Sequence, residues 1–353
     1  MGAMTRTAAI VGGGIGGLAT AIGLMKAGWE VTVFERAESL PDTGTGLGIW
    51  PSALRALDAL GLGARARELG RAQPSGQIKR PDGSRIATID VDRLVRKQGE
   101  PVRLLSRPAL LHLLASAAPS IQFGHEVEDP SSLVPKFDLV VGADGINSRV
   151  RRMLFGEAHG LRYCGMMAWR GTVDLHTEVG GETWGRARKF GITPQEPGRT
   201  NWYAALAAPE GYAPADGIAE LRRLFGAWHQ PIGEILDRIS PAEVLRHDLH
   251  YSSPLPAYSV GTVVLLGDAA HAMTPDLGQG ACQALIDGVV LAECLSSHRE
   301  IGDGLAAYDR RRRRETQKLV TLSLRVSRLA QTRRLLTLRD LVIRLALAAG
   351  PPS

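Results

Sequence analysis

The chain is 353 residues long, 44% apolar and 22% charged, which suits a folded protein of about two domains and excludes a disordered or fibrous one. Its formal net charge is +6, yet residues 301–353 hold 12 Lys/Arg against 4 Asp/Glu, so the other 300 sum to −2. A body so near neutral has no electrostatic footprint for nucleic acid. The three cysteines (Cys164, Cys282, Cys294) show neither CxxC nor zinc spacing, as expected in a reducing cytoplasm with no structural metal.

Met1-Gly2-Ala3-Met4 reads as an added leader before a native Met4, and Arg6 spoils any myristoylation pattern. From Ala8 to Met25 every residue but Thr20 is apolar or glycine. Six are glycine, too many for a transmembrane segment. The pattern predicts a buried strand (Ala8–Val11), a tight turn and a helix (Leu18–Ala27). No secretory signal segment is recognisable. Val31–Phe34 is a second strand. A loop with Gly44, Gly46 and Gly48 leads to a helix carrying apolar Ala53, Leu54, Leu57 and Leu60. Residues 76–90 read as a hairpin around Pro81-Asp82-Gly83. Arg107–Ala117 is helical, and Asp138–Val141 is another buried strand.

From about 161 the character changes. Aromatic residues fall in the strand-like runs Met166–Val173, Trp184–Ile192 and Asn201–Ala207, followed by helical Ile218–Trp228 and Ile232–Arg238. This is the pattern of a sheet-based second domain with helices on one side. Thr262–Leu266 returns as a strand and Gly278–Leu295 as a helix. The tail predicts two helices, from about Gly304 and about Thr332, with Leu319, Leu322, Val326 and Leu329 on one face. Arg310 to Arg314 exceed one helical turn and read as a salt-bridged surface.

Three turns, each after an apolar run, carry the chemistry. In Gly12-Gly13-Gly14-Ile15-Gly16-Gly17, Gly12 permits a tight turn, Gly14 lets a pyrophosphate near the backbone, and Gly17 lets helix and strand pack closely. The helix N–H groups then face the phosphates. Glu35, 18 residues after Gly17, suits two ribose hydroxyls and repels a 2′-phosphate, favouring FAD or NAD over NADP at this site. The second turn runs from Gly142 through Asp144-Gly145 and Ser148 to Arg151. The third is Gly267-Asp268-Ala269-Ala270-His271, continued by Pro275 and Gly278-Gln279-Gly280-Ala281. Asp268 would sit at a strand's carboxyl end, able to accept from hydroxyls. The helix opening at Gly278–Gly280 would stabilise an anionic ring. His271 reads as structural, and Ser148 lacks a paired histidine and acid for nucleophilic work.

Together these motifs resemble the single-component FAD-dependent aromatic hydroxylases of the p-hydroxybenzoate hydroxylase-like fold, over about residues 8–330. The resemblance implies an α/β fold: a Rossmann-like FAD domain (4–72, 97–160, 258–300), an interleaved sheet-based substrate domain (73–96, 161–257) and C-terminal helices (301–353) that brace the FAD domain. It implies FAD contacts from the three turns and from Arg36, Gly48 and Arg107, with Asp144-Gly145 also touching the nicotinamide donor. It further implies that NADH or NADPH reduces FAD and that O2 forms a C4a-hydroperoxide, which oxygenates a small aromatic or polyene substrate. Candidate pocket residues are Trp50, Trp169, Phe190, Tyr203, Met273 and Pro275, with Arg186 and Arg170 for an acidic substrate. Cys282 stands where the family commonly has Asn, Ile286 where it has an acid, Gly288 where it has Ala, and Ser52 where it often has Asn. Val127–Lys136 is short for the family's hairpin. A monomer or homodimer is expected. The alternatives are a reductase, a halogenase or a redox-silent flavin-binding module on this fold, or a protein whose basic tail docks on lipid.

Overall fold

The buried run Ala8–Val11 becomes the strand Thr7–Val11, near the middle of a six-stranded sheet in a computed structural model describing residues 5–42, 44–73, 76–178, 180–195 and 198–349. Met1 to Met4 lie outside the described residues. The chain divides into two compact units: Met1–Gly70, Arg107–Arg162 and His250–Leu324 form one; Arg71–Ser106, Tyr163–Leu249 and Arg325–Ser353 form the other. The tail is thus no block of its own, since it divides after Leu324.

In the first unit the sheet order is Ser259–Val260, Val263–Leu265, Leu139–Gly142, Thr7–Val11, Glu30–Phe34, Ile121–Gln122. All pairs are parallel except the outermost, Ser259–Val260. Ala8 pairs Val31 on one side and Leu139 on the other. Successive connections therefore leave the first strand in opposite directions, and the crevice at its carboxyl end is where such sheets bind ligands. Helix Ile15–Lys26 begins at that end and packs on helix Gly280–Ser297. Gly288 is what lets them close: a Cβ there would lie 2.7 Å from the Thr20 backbone nitrogen. That accounts for the Gly288 departure as a packing requirement.

The second unit holds most of a seven-stranded sheet, ordered Leu245–Ser252, Leu161–Val173, Thr200–Ala207, Arg188–Pro194, Gly181–Trp184, Gly76–Lys79, Arg85–Ile89. The run Trp184–Ile192 is not one strand. It divides into Gly181–Trp184 and Arg188–Pro194, paired antiparallel, with Ala187 at φ 53° and the Gly185 N–H donating to the Arg188 carbonyl at 2.9 Å. A tight turn thus interrupts apolar character that continues through it. Helices Gly217–Phe225 and Ile232–Arg238 cover one face. Alternate strand residues Met167, Trp169, Val173, Phe190, Ile192, Trp202 and Ala204 pack there against Leu221, Phe225 and Ile235. By the two-residue period of strands, Arg170, Lys189 and Tyr203 project from the opposite face.

Residues 123–138 hold the short 3-10 turn Pro130–Leu133, capped by the Asp129 carboxylate accepting from the Ser131 N–H at 3.0 Å. The tail's first helix is Ile301–Ala330 and its second Leu336–Ala349.

Candidate cofactor site

The first turn's glycines answer to three different constraints. Gly12 has φ +111°, and a Cβ on it would meet the Ala143 carbonyl oxygen at 2.4 Å; one on Gly17 would meet the Gly12 oxygen at 1.9 Å. Gly14 has nothing within 4 Å of that position. The first two hold the turn against the neighbouring loop, and Gly14 keeps a backbone surface open to a ligand. Ile15 is buried, and a Cβ on Gly16 would strike Leu266 Cδ1 at 2.6 Å. The Glu35 carboxylate is folded onto this loop, accepting from the Gly13 N–H at 2.7 Å and the Ala37 N–H at 2.9 Å. Lone pairs on each oxygen still suit ribose hydroxyls. Arg36 is exposed.

The second turn is held by its own carboxylate. Asp144 accepts from the Ser148 hydroxyl at 2.5 Å and from the Arg149 and Val150 N–H groups at 2.7 and 3.1 Å. Ser148 caps helix Arg149–Phe155 by accepting from the Arg151 N–H at 2.9 Å. The carboxylate of Asp144 is therefore committed to shaping the loop, and Ser148 is a cap. Gly145, at φ +76°, again has nothing within 4 Å of a would-be Cβ.

Sequence reasoning gave no role to Arg151. Its guanidinium donates to the Ile146 carbonyl at 2.6 Å and to the Asp268 and Ala269 carbonyls at 3.2 and 3.1 Å. It stitches the second turn to the third. Burial pulls its pKa down, and the Asp144 charge opposes that.

In the third turn Asp268 opens the four-residue helix Asp268–His271. Its side chain is solvent-accessible, yet enough protein crowds it for desolvation to push the carboxyl pKa up, against the His271, Arg107 and Arg151 charges. Among the described residues no hydrogen bond fixes that carboxylate. A Cβ on Gly280 would lie 3.9 Å from Asp268 Oδ1, so carboxylate and helix N-terminus are neighbours. Pro275 is exposed, Met273 half-buried, and the Thr274 hydroxyl is buried with no partner among the described residues. The Pro275–Leu277 turn and Gly278 at φ +60° precede the helix, which starts at Gly280, later than the expected Gly278; Gln279 is buried and Ala281 half-buried.

Behind the turn lies a buried polar network. Asp287 accepts from the Gly267 N–H at 2.9 Å, pairs with His271 Nε2 at 2.6 Å and accepts from Arg312 Nε at 2.6 Å. Arg312 donates to Gln283 at 2.5 Å, and Gln283 donates to Gln279 at 3.3 Å. Burial would raise the Asp287 pKa; the His271 and Arg312 charges outweigh it and hold the carboxyl at about 2. His271 is structural, while the expectation for Arg310 to Arg314 fails at Arg312, which is 2% exposed. Ile286 leaves this network intact, because Asp287 does the pairing. Cys282 is engaged as well. Its thiol donates to the Gly48 carbonyl at 3.3 Å and accepts from the Trp50 N–H at 3.5 Å. Burial pushes it up to about 11, so it stays a neutral thiol. Trp50 is half-buried.

In the second unit Trp169 and Phe190, expected at the substrate pocket, instead belong to the helix-covered core, with the Phe190 ring stacked 5.9 Å from Trp202. Register parity puts them on that face. Arg186 is exposed in the hairpin turn. The opposite face carries a cluster that sequence reasoning missed apart from Tyr203. Lys189, 3% exposed, pairs with Glu182 at 3.1 Å and lies 5.3 and 5.5 Å from the Trp184 and Tyr203 ring centres. Glu182 also accepts from Trp184 Nε1 at 2.6 Å and from the Tyr203 hydroxyl.

Gly14 open to approach, the accessible Asp268 carboxylate beside a helix N-terminus, and the partnerless Thr274 hydroxyl are features that a bound dinucleotide would fit. The chain belongs to the FAD binding domain family, which matches residues 5–323. It is 35% identical to an aurachin C monooxygenase/isomerase from Stigmatella aurantiaca, across 92% of this chain and 90% of that protein. It is 28% identical to an FAD-dependent urate hydroxylase from Klebsiella pneumoniae, across 89% of this chain and 87% of that protein. Its fold matches Klebsiella pneumoniae HpxO complexed with FAD and uric acid, with TM-score 0.84, 23% identity and coverage of 98% and 93%. It also matches a salicylate hydroxylase substrate complex, with TM-score 0.78, 22% identity and coverage of 99% of both chains. The protein is an FAD-dependent monooxygenase.

Among the described residues one helix, Gly280–Ser297, is long and apolar enough to cross a membrane, and it is mostly buried within the protein.

Proposed function

We propose that this enzyme uses NADH or NADPH and O2 to hydroxylate or epoxidise a small, electron-rich aromatic or unsaturated substrate, as a cytoplasmic monomer or homodimer. The ring-shaped substrates named for the urate and salicylate hydroxylases support that class. Bound FAD supplies electron transfer from the nicotinamide donor and activation of O2.

The chain's own residues do the rest. Gly14 admits the diphosphate, and the amides opening helix Ile15–Lys26 donate to it. Glu35 accepts from the adenosine ribose and Asp268 from the ribityl hydroxyls. The N-terminus of Gly280–Ser297 stabilises negative charge on a reduced ring. Thr274 has a hydroxyl to offer once a partner arrives. Met273, Trp50 and Pro275 remain candidate pocket residues of the first unit, and Arg170 and Tyr203 remain candidates on the second unit's sheet face opposite its helices. The single observation that carries this reading is the accessible, unbonded Asp268 carboxylate next to that helix start.

The experiment is a screen of aromatic acids, purines and polyphenols for stimulated NAD(P)H oxidation, with 18O2 as the oxygen source. The expected result is a ligand that accelerates oxidation and a product carrying one labelled oxygen. Accelerated oxidation without labelled product would indicate a reductase. A yellow protein that no ligand stimulates would indicate a redox-silent module.

A further inference from the structure

The helix Leu336–Ala349, wholly within the second unit, buries a mixed face and exposes an apolar one. Beside the apolar Ile343, 5% exposed, its inward positions include a charged pair. Arg339 and Asp340 are each 3% exposed and lie 2.8 Å apart. Arg339 donates to the Gly185 and Trp184 carbonyls at 2.5 and 3.3 Å, and Asp340 accepts from Arg80 at 2.7 Å. Its outward positions are apolar: Leu338 is 55% exposed, Leu341 49%, Val342 44% and Leu345 63%, with Leu335 at 74% just ahead of the helix. Spacings of three and four make these one stripe. Among the described residues eleven large hydrophobics are exposed and five of them lie here, so the stripe is a patch and not scatter. A helix serving only its own core has the reverse arrangement.

The charge along residues 325–353 selects the partner. Arg325, Arg328, Arg333, Arg334 and Arg344 are exposed. Asp340 is the sole acid from 325 onward, and it is buried and paired. A second copy would bring this cationic rim against itself, and like charges facing each other across an interface are costly. An anionic lipid surface offers an apolar layer for the leucines and headgroups for the arginines. The helix has 14 residues, about 21 Å, too short for a hydrocarbon core of about 30 Å. It can lie in the interface but cannot span it.

We propose that Leu336–Ala349 docks this enzyme on the surface of an anionic bilayer. The test is flotation of the full-length, FAD-loaded protein with phosphatidylcholine vesicles, with and without phosphatidylglycerol. Wild type should float with the anionic vesicles only, and high salt should weaken it. Leu338→Ser/Leu341→Ser/Leu345→Ser should reduce partitioning about tenfold or more. Arg333→Gln/Arg334→Gln, two exposed changes that leave the fold's contacts alone, should reduce it about tenfold or more as well. Both variants should keep wild-type flavin content. No flotation of wild type, or flotation unchanged in both variants, overturns the proposal. So does a concentration-dependent dimer that the leucine variant abolishes while no form floats, which would give the stripe to a second copy.

Discussion

Arg312 Nε lies 2.6 Å from Asp287 Oδ1, with the side chains 3% and 0% exposed. The pair joins the long helix Ile301–Ala330 to the helix behind the third turn, and through Gly267 and His271 it fixes that turn's backbone. Removing one partner of such a pair leaves the other charge buried and unanswered. Arg312→Leu should therefore cost about 3–5 kcal/mol of unfolding free energy, measured by urea denaturation. A loss within error of zero would mean the network is dispensable.

The same pair sets an acid limit. The Asp287 carboxyl is held at about 2, below its ordinary 3.8, because the His271 and Arg312 charges outweigh the burial that would raise it. Its folded value is depressed, so its stabilisation is complete above the unfolded value and lost as pH falls from about 4 toward 2. That loss is roughly 2 kcal/mol. Asp287→Asn should flatten this part of the stability–pH curve. An unchanged acid limb in that variant would locate the effect in other carboxylates.

Gly14 and Gly17 should separate cofactor binding from folding. Gly14 has φ −75° and ψ −178°, open to any residue, and no neighbour within 4 Å of a Cβ. Gly14→Val should fold with an apoprotein melting temperature close to wild type and lose most FAD. A Cβ on Gly17 would lie 1.9 Å from the Gly12 oxygen, so Gly17→Val should fail to accumulate as folded protein. Thermal melts and flavin absorbance of both variants check this. A fully loaded Gly14→Val protein would contradict the assignment.

Much of this was readable in the chain itself, because the three turns need glycine or a carboxylate at fixed places after buried strands. Helix and strand positions also follow from periodicity to within a few residues. What escaped depends on tertiary choices. Which of five consecutive arginines turns inward is settled only when the helix docks, and Arg312 is the one whose azimuth meets Asp287. The bonds that the Asp144 carboxylate accepts from its own loop depend on turn geometry that the motif alone does not display. Trp169 and Phe190 were legible as strand aromatics, but their face depends on register, where one residue's slip reverses every side chain.

That parity can be tested. Phe190 is fully buried among Trp202 and Phe225, so Phe190→Ala should cost about 3–5 kcal/mol. Tyr203→Phe removes only the hydroxyl that donates to Glu182. It should change the KM for whichever substrate the screen finds more than it changes stability. Denaturant midpoints and steady-state kinetics on the two variants distinguish core from pocket. The reverse pattern would put the substrate on the helix-covered face.

The most direct measurement is a titration of the apoprotein with FAD, followed by flavin absorbance and fluorescence, for wild type and Asp268→Ala. The expected result is saturation at one FAD per chain in wild type and a large loss of affinity in the variant, with both proteins folded. A folded wild type that stays colourless in excess FAD, or an Asp268→Ala protein that binds as tightly, would contradict the site.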